Sequence, residues 1–315
     1  MRLCLIVPCH NEEEVLPLFT EECAKVFPVL KETYDVDTEF LFVDDGSTDG
    51  TLKYLRSYVQ SHEGARYISF SRNFGKEAAM YAGICESDAD FTGIMDADLQ
   101  DPPSFLPKMM KAILEEGYDC AAARRSDRKG EPPVRSWFAA RFYKIINHAT
   151  RTHIEEGARD FRIMTRQMTE AVKSMSEYNR FSKGIFSWVG FSTKWIPYEN
   201  VNRAAGKTKW SFRSLSYYAL DGIVGFTVKP LEYAAWIGMA FFLISLIGII
   251  FVIVRKLLFG DPVSGWPSLV CIILFCSGIQ LFCTGIIGQY LAKTYIEVKN
   301  RPVYIIRETE KNIRK

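Results

Sequence analysis

The sequence predicts an α/β domain built on a mostly parallel sheet, followed by two apolar helices long enough to cross a membrane. Short apolar segments alternate with segments of helical period between residues 3 and 95, and two long apolar segments follow near the C-terminus. Such alternation is typical of a parallel sheet covered by helices. A bilayer core needs about 20 apolar residues in a helix, and both C-terminal segments reach that length.

Four short runs rich in aromatic and branched residues predict strands, and three segments between them predict helices. The strands are predicted at Leu3–Val7, Phe40–Val43, Ala65–Ser69 and Phe91–Met95, and the helices at Glu12–Leu30, Thr48–Gln60 and Lys76–Glu86. Polar, ligand-capable residues follow every one of the four strands, at 8–13, 44–49, 72–76 and 96–103. Because α/β sheets bind ligands beyond the carboxyl ends of their strands, this edge is the predicted site.

The stretch "DADLQDPP" at residues 96–103 is the most acidic of these strand ends. Asp96 and Asp98 stand two positions apart, so a bend at the strand end aims both at one ion, and Gln100 offers an amide oxygen. Mg²⁺ and Mn²⁺ prefer such oxygen ligands and often share them with substrate phosphates. Asp101 is expected to cap the helix that Pro102 opens.

The second strand end, "DDGSTD", predicts contacts to a nucleotide. Asp44 is placed to accept hydrogen bonds from a base or ribose, and Asp45 is expected to act only in the turn. There is no G-x-x-x-x-G-K-[ST] and no G-x-G-x-x-G after the first strand, so the P-loop and Rossmann cradles are missing. A divalent metal on carboxylates is the alternative way to hold a diphosphate.

Composition excludes several classes of protein. A net charge of +2 argues against a nucleic-acid binder. The 8 cysteines show no C-x-x-C spacing, which argues against a zinc site or a disulfide framework. The N-terminal apolar run is too short for a signal peptide and is expected to be a strand.

The apolar segments Leu231–Val254 and Ser268–Leu291 predict an integral, multi-pass membrane protein, with a pair of buried core helices as the alternative. Basic residues flank the outer ends of the pair more densely than the connecting loop, so both termini and the catalytic domain are expected in the cytoplasm. Residues 210–228 are amphipathic and aromatic-rich, and are expected to lie along the bilayer surface.

Arginine and lysine cluster in two further segments. The first cluster contains Arg124, Arg128 and Arg135, which either bind phosphates or form a solvated surface. In the second, Arg203, Lys207 and Lys209 surround a glycine just before the membrane segments, where phosphate binding is the stronger interpretation.

Several motifs together resemble a known family. "VPCHNEE", "FVDDGSTDGT", "SRNFGKEAA" and "MDADLQDPP" are similar to the family 2 glycosyltransferases with the GT-A fold. "GARDFRIM" at 157–164, "RAAGKTKW" at 203–210 and the two apolar segments resemble the polyprenol-phosphate glycosyltransferases within it. The resemblance runs from about residue 3 to 295 and implies a GT-A type mostly parallel sheet with flanking helices, amphipathic interface helices and two transmembrane helices.

The resemblance also implies roles for individual residues. The nucleotide pocket would contain Pro8, His10, Glu12, Asp44, Lys76 and Ala97. Asp96, Asp98 and Gln100 would hold Mg²⁺ or Mn²⁺, and Asp98, Asp160 and Arg203 would serve catalysis. Phosphates of donor and lipid would be bound by Arg124, Arg128, Arg135, Arg203, Lys207 and Lys209. Asp160 would orient the sugar or an arginine, and a base role is not demanded.

The implied reaction is inverting transfer of a sugar from a nucleotide-diphosphate sugar to a polyprenyl phosphate at the cytoplasmic face. UDP-glucose is the expected donor, with GDP-mannose, UDP-N-acetylhexosamine and UDP-aminoarabinose as alternatives. A polysaccharide-extending transferase and a non-catalytic membrane accessory protein are the rival hypotheses, and a homo-oligomer is left open. The expected domains are a GT-A domain at 1–205, an interface segment at 206–230, a two-helix membrane domain at 231–295 and a cytoplasmic tail at 296–315.

Overall fold

A computed structural model describes residues 1–125, 147, 154–198, 224, 227–259 and 265–313. The chain divides into two compact units. The first contains Met1–Ala219 together with Arg301–Lys315, and the second contains Leu220–Asn300.

The first unit is built on a mixed sheet. Its described strands are β1 (Arg2–Cys9), β2 (Asp37–Asp44), β3 (Ala65–Phe70), β4 (Phe91–Ile94), β5 (Cys120–Arg125), β6 (Ala158–Thr165), β7 (Thr193–Tyr198) and β8 (Ile306–Thr309). They lie in the order β7-β5-β6-β4-β1-β2-β3-β8. β1 pairs in parallel with β2 and β4, and β2 pairs in parallel with β3. The predicted, mostly parallel sheet is therefore confirmed.

Helices cover both faces of this sheet. They are α1 (Leu16–Tyr34), α2 (Thr51–Ser61), α3 (Lys76–Glu86), α4 (Leu106–Leu114), α5 (Arg166–Lys173), α6 (Ser182–Trp188) and α9 (Glu310–Ile313), with a 3-10 turn at Pro103–Phe105. β1 is fully buried from Leu3 to Val7, as expected of a central strand covered on both sides. Gly83 on α3 lets that helix approach closely, because a Cβ there would lie 2.3 Å from Ile6 Cγ2.

Two strands run against the parallel direction. β6 lies antiparallel between β4 and β5, so its first residues stand at the edge where those two strands end. β8 pairs antiparallel with β3 and covers the outer edge of the sheet. Within the segment 296–315, which was predicted to be a C-terminal tail, the part from Arg301 onward belongs to the first unit and contributes β8 to its sheet.

The second unit contains two long helices, α7 (Lys229–Phe259) and α8 (Trp266–Val298). The rings of Phe241 and Phe275 lie 5.5 Å apart, and Cys283 Sγ lies 3.9 Å from the Ala234 carbonyl oxygen, so the helices run antiparallel. Both contain a stretch apolar and long enough to cross a membrane, Lys229–Gly248 and Phe275–Val298. Their large apolar side chains are exposed, with Leu257 80% and Leu281 74% accessible, which is typical of a surface that meets lipid or a partner.

Candidate active site

The loops after β1 and β2 are joined by hydrogen bonds into one wall of the candidate site. Asn11 N donates to Ser47 Oγ at 3.0 Å, and Asn11 Oδ1 accepts from Thr48 N at 2.8 Å. Glu12 N donates to Thr51 Oγ1 at 2.8 Å. Asn11 adopts a left-handed backbone with φ 55°, a conformation that asparagine tolerates better than most residues. The sequence "CHNEE" thus shapes the turn in which His10 and Glu12 stand.

Asp44 and Asp45 are both buried at the end of β2, and their carboxylates make different contacts. Asp44 accepts from Ser69 Oγ at 2.7 Å and from Ser47 N at 3.1 Å. Asp45 accepts from Phe74 N at 2.6 Å and Gly75 N at 2.9 Å, and burial raises its pKa against the opposing effect of these two amides. The expectation that Asp45 serves only its own turn was wrong, because the loop after β3 lies alongside and offers it two amide donors.

Lys76 is the first residue of α3 and lies between two carboxylates. Its Nζ lies 2.7 Å from Asp96 Oδ1 and 2.8 Å from Asp96 Oδ2. It also donates to Asp160 Oδ2 at 2.5 Å. The ammonium group thus donates one hydrogen bond to each carboxylate and lies in ion-pair contact with the second oxygen of Asp96. Partial burial lowers the pKa of Lys76, but Asp160 and then Asp96 outweigh it, and the net pKa is raised.

Asp160 reaches this cluster because β6 is antiparallel and begins at the carboxyl edge of its neighbours. Its side chain is 17% exposed, and burial alone would raise its pKa. The Lys76 ammonium and, to a lesser degree, Lys183 outweigh burial and hold the pKa of Asp160 well below its usual range. Asp160 is therefore ionised at neutral pH and forms an ion pair with Lys76.

In the turn 96–101, the side chain of Asp98 bonds within the turn and that of Gln100 bonds to arginines on neighbouring strands. Leu99 adopts φ 55°, a left-handed conformation that costs an L-residue roughly 1–2 kcal/mol. Asp98 Oδ1 accepts from Gln100 N at 3.1 Å. Gln100 Oε1 accepts from Arg125 Nη2 at 3.2 Å and Arg159 Nη2 at 3.3 Å. A metal-ligating role for Gln100 stays a prediction and would require this oxygen to leave or share its arginine partners.

Asp101 is buried at 1% exposure and does not cap the following helix. Its carboxylate accepts from Arg159 Nε at 3.2 Å and from the Tyr198 hydroxyl. The predicted cap was wrong because β6 and β7 bring an arginine and a tyrosine to the same place, and the sequence neighbours of Asp101 reveal neither. Arg159, which the sequence analysis did not single out, thus stabilises the base of the acidic turn.

Glu77 is a second residue at this site that sequence reasoning missed. Its Oε2 accepts from Ser182 N at 3.0 Å and also from the Ser182 hydroxyl, at the beginning of α6. Burial, followed by the nearby charge of Asp160, raises the pKa of Glu77. Glu77 therefore connects α3 to α6 directly beside the Lys76 cluster.

The remaining predicted site residues divide into described and undescribed ones. Pro8 and Ala97 lie at the ends of β1 and β4, Ala97 being 3% exposed. Arg124 forms an ion pair with Glu155. The others lie outside the described residues, namely Arg128, Arg135, Arg203, Lys207 and Lys209.

The donor set at this edge fits a divalent metal that also takes substrate oxygens. Asp96 already binds one cation, the Lys76 ammonium, and Asp98 stands two residues further on. In the part of the chain that the structure describes, no three His, Cys, Asp or Glu side chains group closely enough to hold an ion by themselves. Mg²⁺ is commonly bound by one or two carboxylates plus phosphate oxygens, which is what this pair of aspartates offers.

The fold and the site define an α/β protein with an acidic candidate site at the carboxyl ends of β1, β2 and β4, where such sheets commonly bind nucleotides. The chain belongs to Glycosyl transferase family 2, whose sequence model matches residues 4–173. It is therefore a glycosyltransferase, and the predicted GT-A type fold is confirmed.

Relatives match nearly the whole chain. The putative glycosyltransferase CsbB of Bacillus subtilis is 42% identical, over 97% of this chain and 91% of that protein. The SfII prophage-derived bactoprenol glucosyl transferase of Shigella flexneri is 39% identical, over 99% of both chains. Among solved structures, mannosyl-3-phosphoglycerate synthase from Rubrobacter xylanophilus aligns with a TM-score of 0.48 at 19% identity, over 70% of this chain and 71% of that one. The two full-length sequence matches confirm the predicted resemblance to polyprenol-phosphate glycosyltransferases.

Proposed function

We propose that the protein transfers a sugar from a nucleotide-diphosphate sugar to a polyprenyl phosphate at the cytoplasmic face of a membrane, with UDP-glucose as the donor. The observation that carries this proposal is the Asp96–Lys76–Asp160 cluster at the carboxyl edge of the sheet, in a chain similar over its full length to bactoprenol glucosyl transferases. The two long apolar helices support an acceptor that resides in a lipid bilayer.

The proposed reaction requires no proton transfer from the acceptor. A lipid phosphate is anionic near neutral pH, and one of its oxygens attacks the anomeric carbon. That carbon–oxygen bond forms as the bond to the donor diphosphate breaks, which releases UDP and inverts the anomeric centre. The contact of Asp160 with Lys76 agrees with this chemistry, because it gives the carboxylate a positioning role that needs no proton transfer.

Asp96 and Asp98 would hold Mg²⁺ or Mn²⁺, which neutralises charge on the departing diphosphate when bound. The chain's own contribution is positioning: Asp45 fixes the loop that leads into α3, and Lys76 is thereby placed beside Asp96. The wall formed by loops 8–13 and 44–51 supplies the side chains proposed to meet the nucleotide.

The test uses membranes containing the full chain, radiolabelled UDP-glucose and undecaprenyl phosphate, with product separated by chromatography. Label in the lipid phase supports the proposal, whereas label in polymer supports a polysaccharide-extending transferase. Asp98→Ala is expected to abolish transfer while the chain still inserts and folds, and excess chelator is expected to do the same. Full activity in either case would overturn the metal assignment.

The identity of the sugar is tested in the same assay. UDP-glucose is compared with GDP-mannose, UDP-N-acetylglucosamine and UDP-aminoarabinose at equal concentration. The proposal expects UDP-glucose to give the highest kcat/KM, and a higher value for another donor would reassign the substrate without changing the reaction class.

A further inference from the structure

Lys76 occupies the oxygens that a divalent metal would use on Asp96. Both oxygens of that carboxylate lie within hydrogen-bond distance of Lys76 Nζ, at 2.7 and 2.8 Å. Charge-assisted contacts of this length are roughly twice as strong as neutral hydrogen bonds. A metal ion bound by Asp96 would therefore compete with the ammonium group for the negative charge of these two oxygens.

The cluster also limits where the displaced ammonium can go. Asp160 Oδ2 holds it from the other side at 2.5 Å, so the Lys76 side chain remains at the site when Asp96 changes partner. The side chain is 42% exposed, so it is accessible to an incoming ligand. A diphosphate provides anionic oxygens that would replace those of Asp96, since lysine binds phosphates as a point charge.

We propose that Lys76 is a built-in competitor of the metal, which makes tight metal binding depend on the nucleotide diphosphate. This inference rests on the proposed metal-dependent donor site. Without nucleotide, the ammonium neutralises Asp96 and keeps its affinity for a divalent ion low. With nucleotide, the diphosphate accepts the ammonium, and Asp96 is released to the metal. Each ligand raises the affinity of the other by the same factor, because linkage is reciprocal.

The experiment measures Mn²⁺ affinity of the purified full chain by electron paramagnetic resonance, with and without saturating UDP. In the wild type, UDP is expected to tighten Mn²⁺ binding about tenfold, within the range usual for coupled ligands. Lys76→Gln is expected to bind Mn²⁺ alone about tenfold more tightly than the wild type. It should gain less from UDP than the wild type does, the remaining gain being the ligand oxygens that the diphosphate itself supplies. Lys76→Arg keeps a cation and should retain weak binding in the absence of UDP.

Lys183→Gln is the matched control, because Lys183 also acts electrostatically on Asp160 but makes no described contact with Asp96. Its Mn²⁺ affinity should change much less than that of Lys76→Gln. If both substitutions tighten binding equally, the general field of the site explains the effect and the inference is overturned. Unchanged Mn²⁺ affinity in Lys76→Gln overturns it as well.

Two further outcomes separate this inference from the proposed function. If no chain binds Mn²⁺ even with UDP, the proposed metal site fails and the inference fails with it. If the wild type binds Mn²⁺ without UDP as tightly as Lys76→Gln does, the metal site stands and only the competition is refuted. Thermal unfolding verifies that each variant is folded, and Lys76→Met, which keeps the aliphatic stem, replaces Lys76→Gln if that variant unfolds.

Discussion

Besides its backbone pairing with β3, the C-terminal strand β8 is attached to the first unit through the carboxylate of Glu308, and the removal of this carboxylate gives a measurable prediction. Glu308 on β8 accepts from Arg56 Nε at 2.8 Å and Arg56 Nη2 at 2.6 Å, and from the Tyr67 hydroxyl at 3.0 Å. Glu308→Ala deletes all three contacts. The stacked rings of Phe70 and Tyr304, 5.1 Å apart, stay in place and keep the strand near its partner.

The free energy lost in Glu308→Ala can be estimated from how exposed each of its partners is. Because the Arg56 side chain is 44% exposed, its paired contacts resemble a surface ion pair worth about 1 kcal/mol. The bond from buried Tyr67 to a charged acceptor adds about 1 kcal/mol. A loss of about 2 kcal/mol corresponds to a roughly 30-fold increase in the open population of β8.

Amide hydrogen exchange of the full chain in detergent, followed by mass spectrometry, measures this opening. Peptides covering 306–309 are expected to exchange roughly 30-fold faster in Glu308→Ala. Glu22→Ala, which removes an exposed ion pair with Lys25 on α1, should leave their exchange unchanged. Equal exchange at β8 in the wild type and Glu308→Ala would show that the Glu308 contacts do not stabilise this strand.

The same contact predicts a pH dependence. The hydrogen bond from Arg56 lowers the pKa of Glu308 below its unfolded value of about 4.3. A lowered pKa stabilises the folded state above the unfolded pKa, and this stabilisation is lost as pH falls through the folded pKa. The difference in exchange between wild type and Glu308→Ala should therefore narrow below about pH 4.

Three further predictions concern the turn at Gly46, the role of Asp160 and the attachment to the membrane. Gly46 has φ 64°, and Gly46→Ala would place a Cβ 2.4 Å from the Arg72 carbonyl carbon. This variant should lower the thermal unfolding midpoint and the UDP affinity clearly more than the control Gly64→Ala, because Gly64 has φ 87° but no atom within 4 Å of its Cβ position. Asp160→Asn should lower kcat but leave the shape of the pH–rate profile between about pH 5 and 8 unchanged, because the pKa of Asp160 lies well below this range. Loss of an ionisation in this range would contradict the positioning role of Asp160. Alkaline carbonate should leave the chain in the membrane pellet, and release into the supernatant would refute the membrane-spanning prediction.

The parallel core could be predicted from the sequence because each of its strands is a dense apolar run. β1 to β4 begin and end within three residues of the predicted limits. β8 could not be predicted, since its sequence Ile306–Thr309 is short and polar and acquires its strand conformation by pairing with β3, far away in the chain. A polar edge strand of this kind has no periodic signal.

For the acidic side chains of the site, too, local features could be predicted from the sequence and distant partners could not. The sequence indicated which strand ends carry carboxylates, because that depends only on local order. It did not indicate which donor each carboxylate contacts: Asp101 pairs with Arg159, Asp45 accepts from the amides after β3, and Asp96 pairs with Lys76. Each partner arrives through the topology of the sheet, above all through the antiparallel β6.

The ion pair of Asp160 with Lys76 bears on the choice between the two enzymatic hypotheses. A transferase that extends a polysaccharide must remove a proton from an acceptor hydroxyl, and it needs a carboxylate or imidazole able to accept that proton. Asp160 lies 2.5 Å from Lys76 Nζ, and its pKa is held well below the usual range. Releasing it for use as a base would cost the attraction of a partly buried ammonium group. An acceptor that is already ionised avoids this cost, so the ion pair of Asp160 with Lys76 agrees with a phosphate as the attacking group.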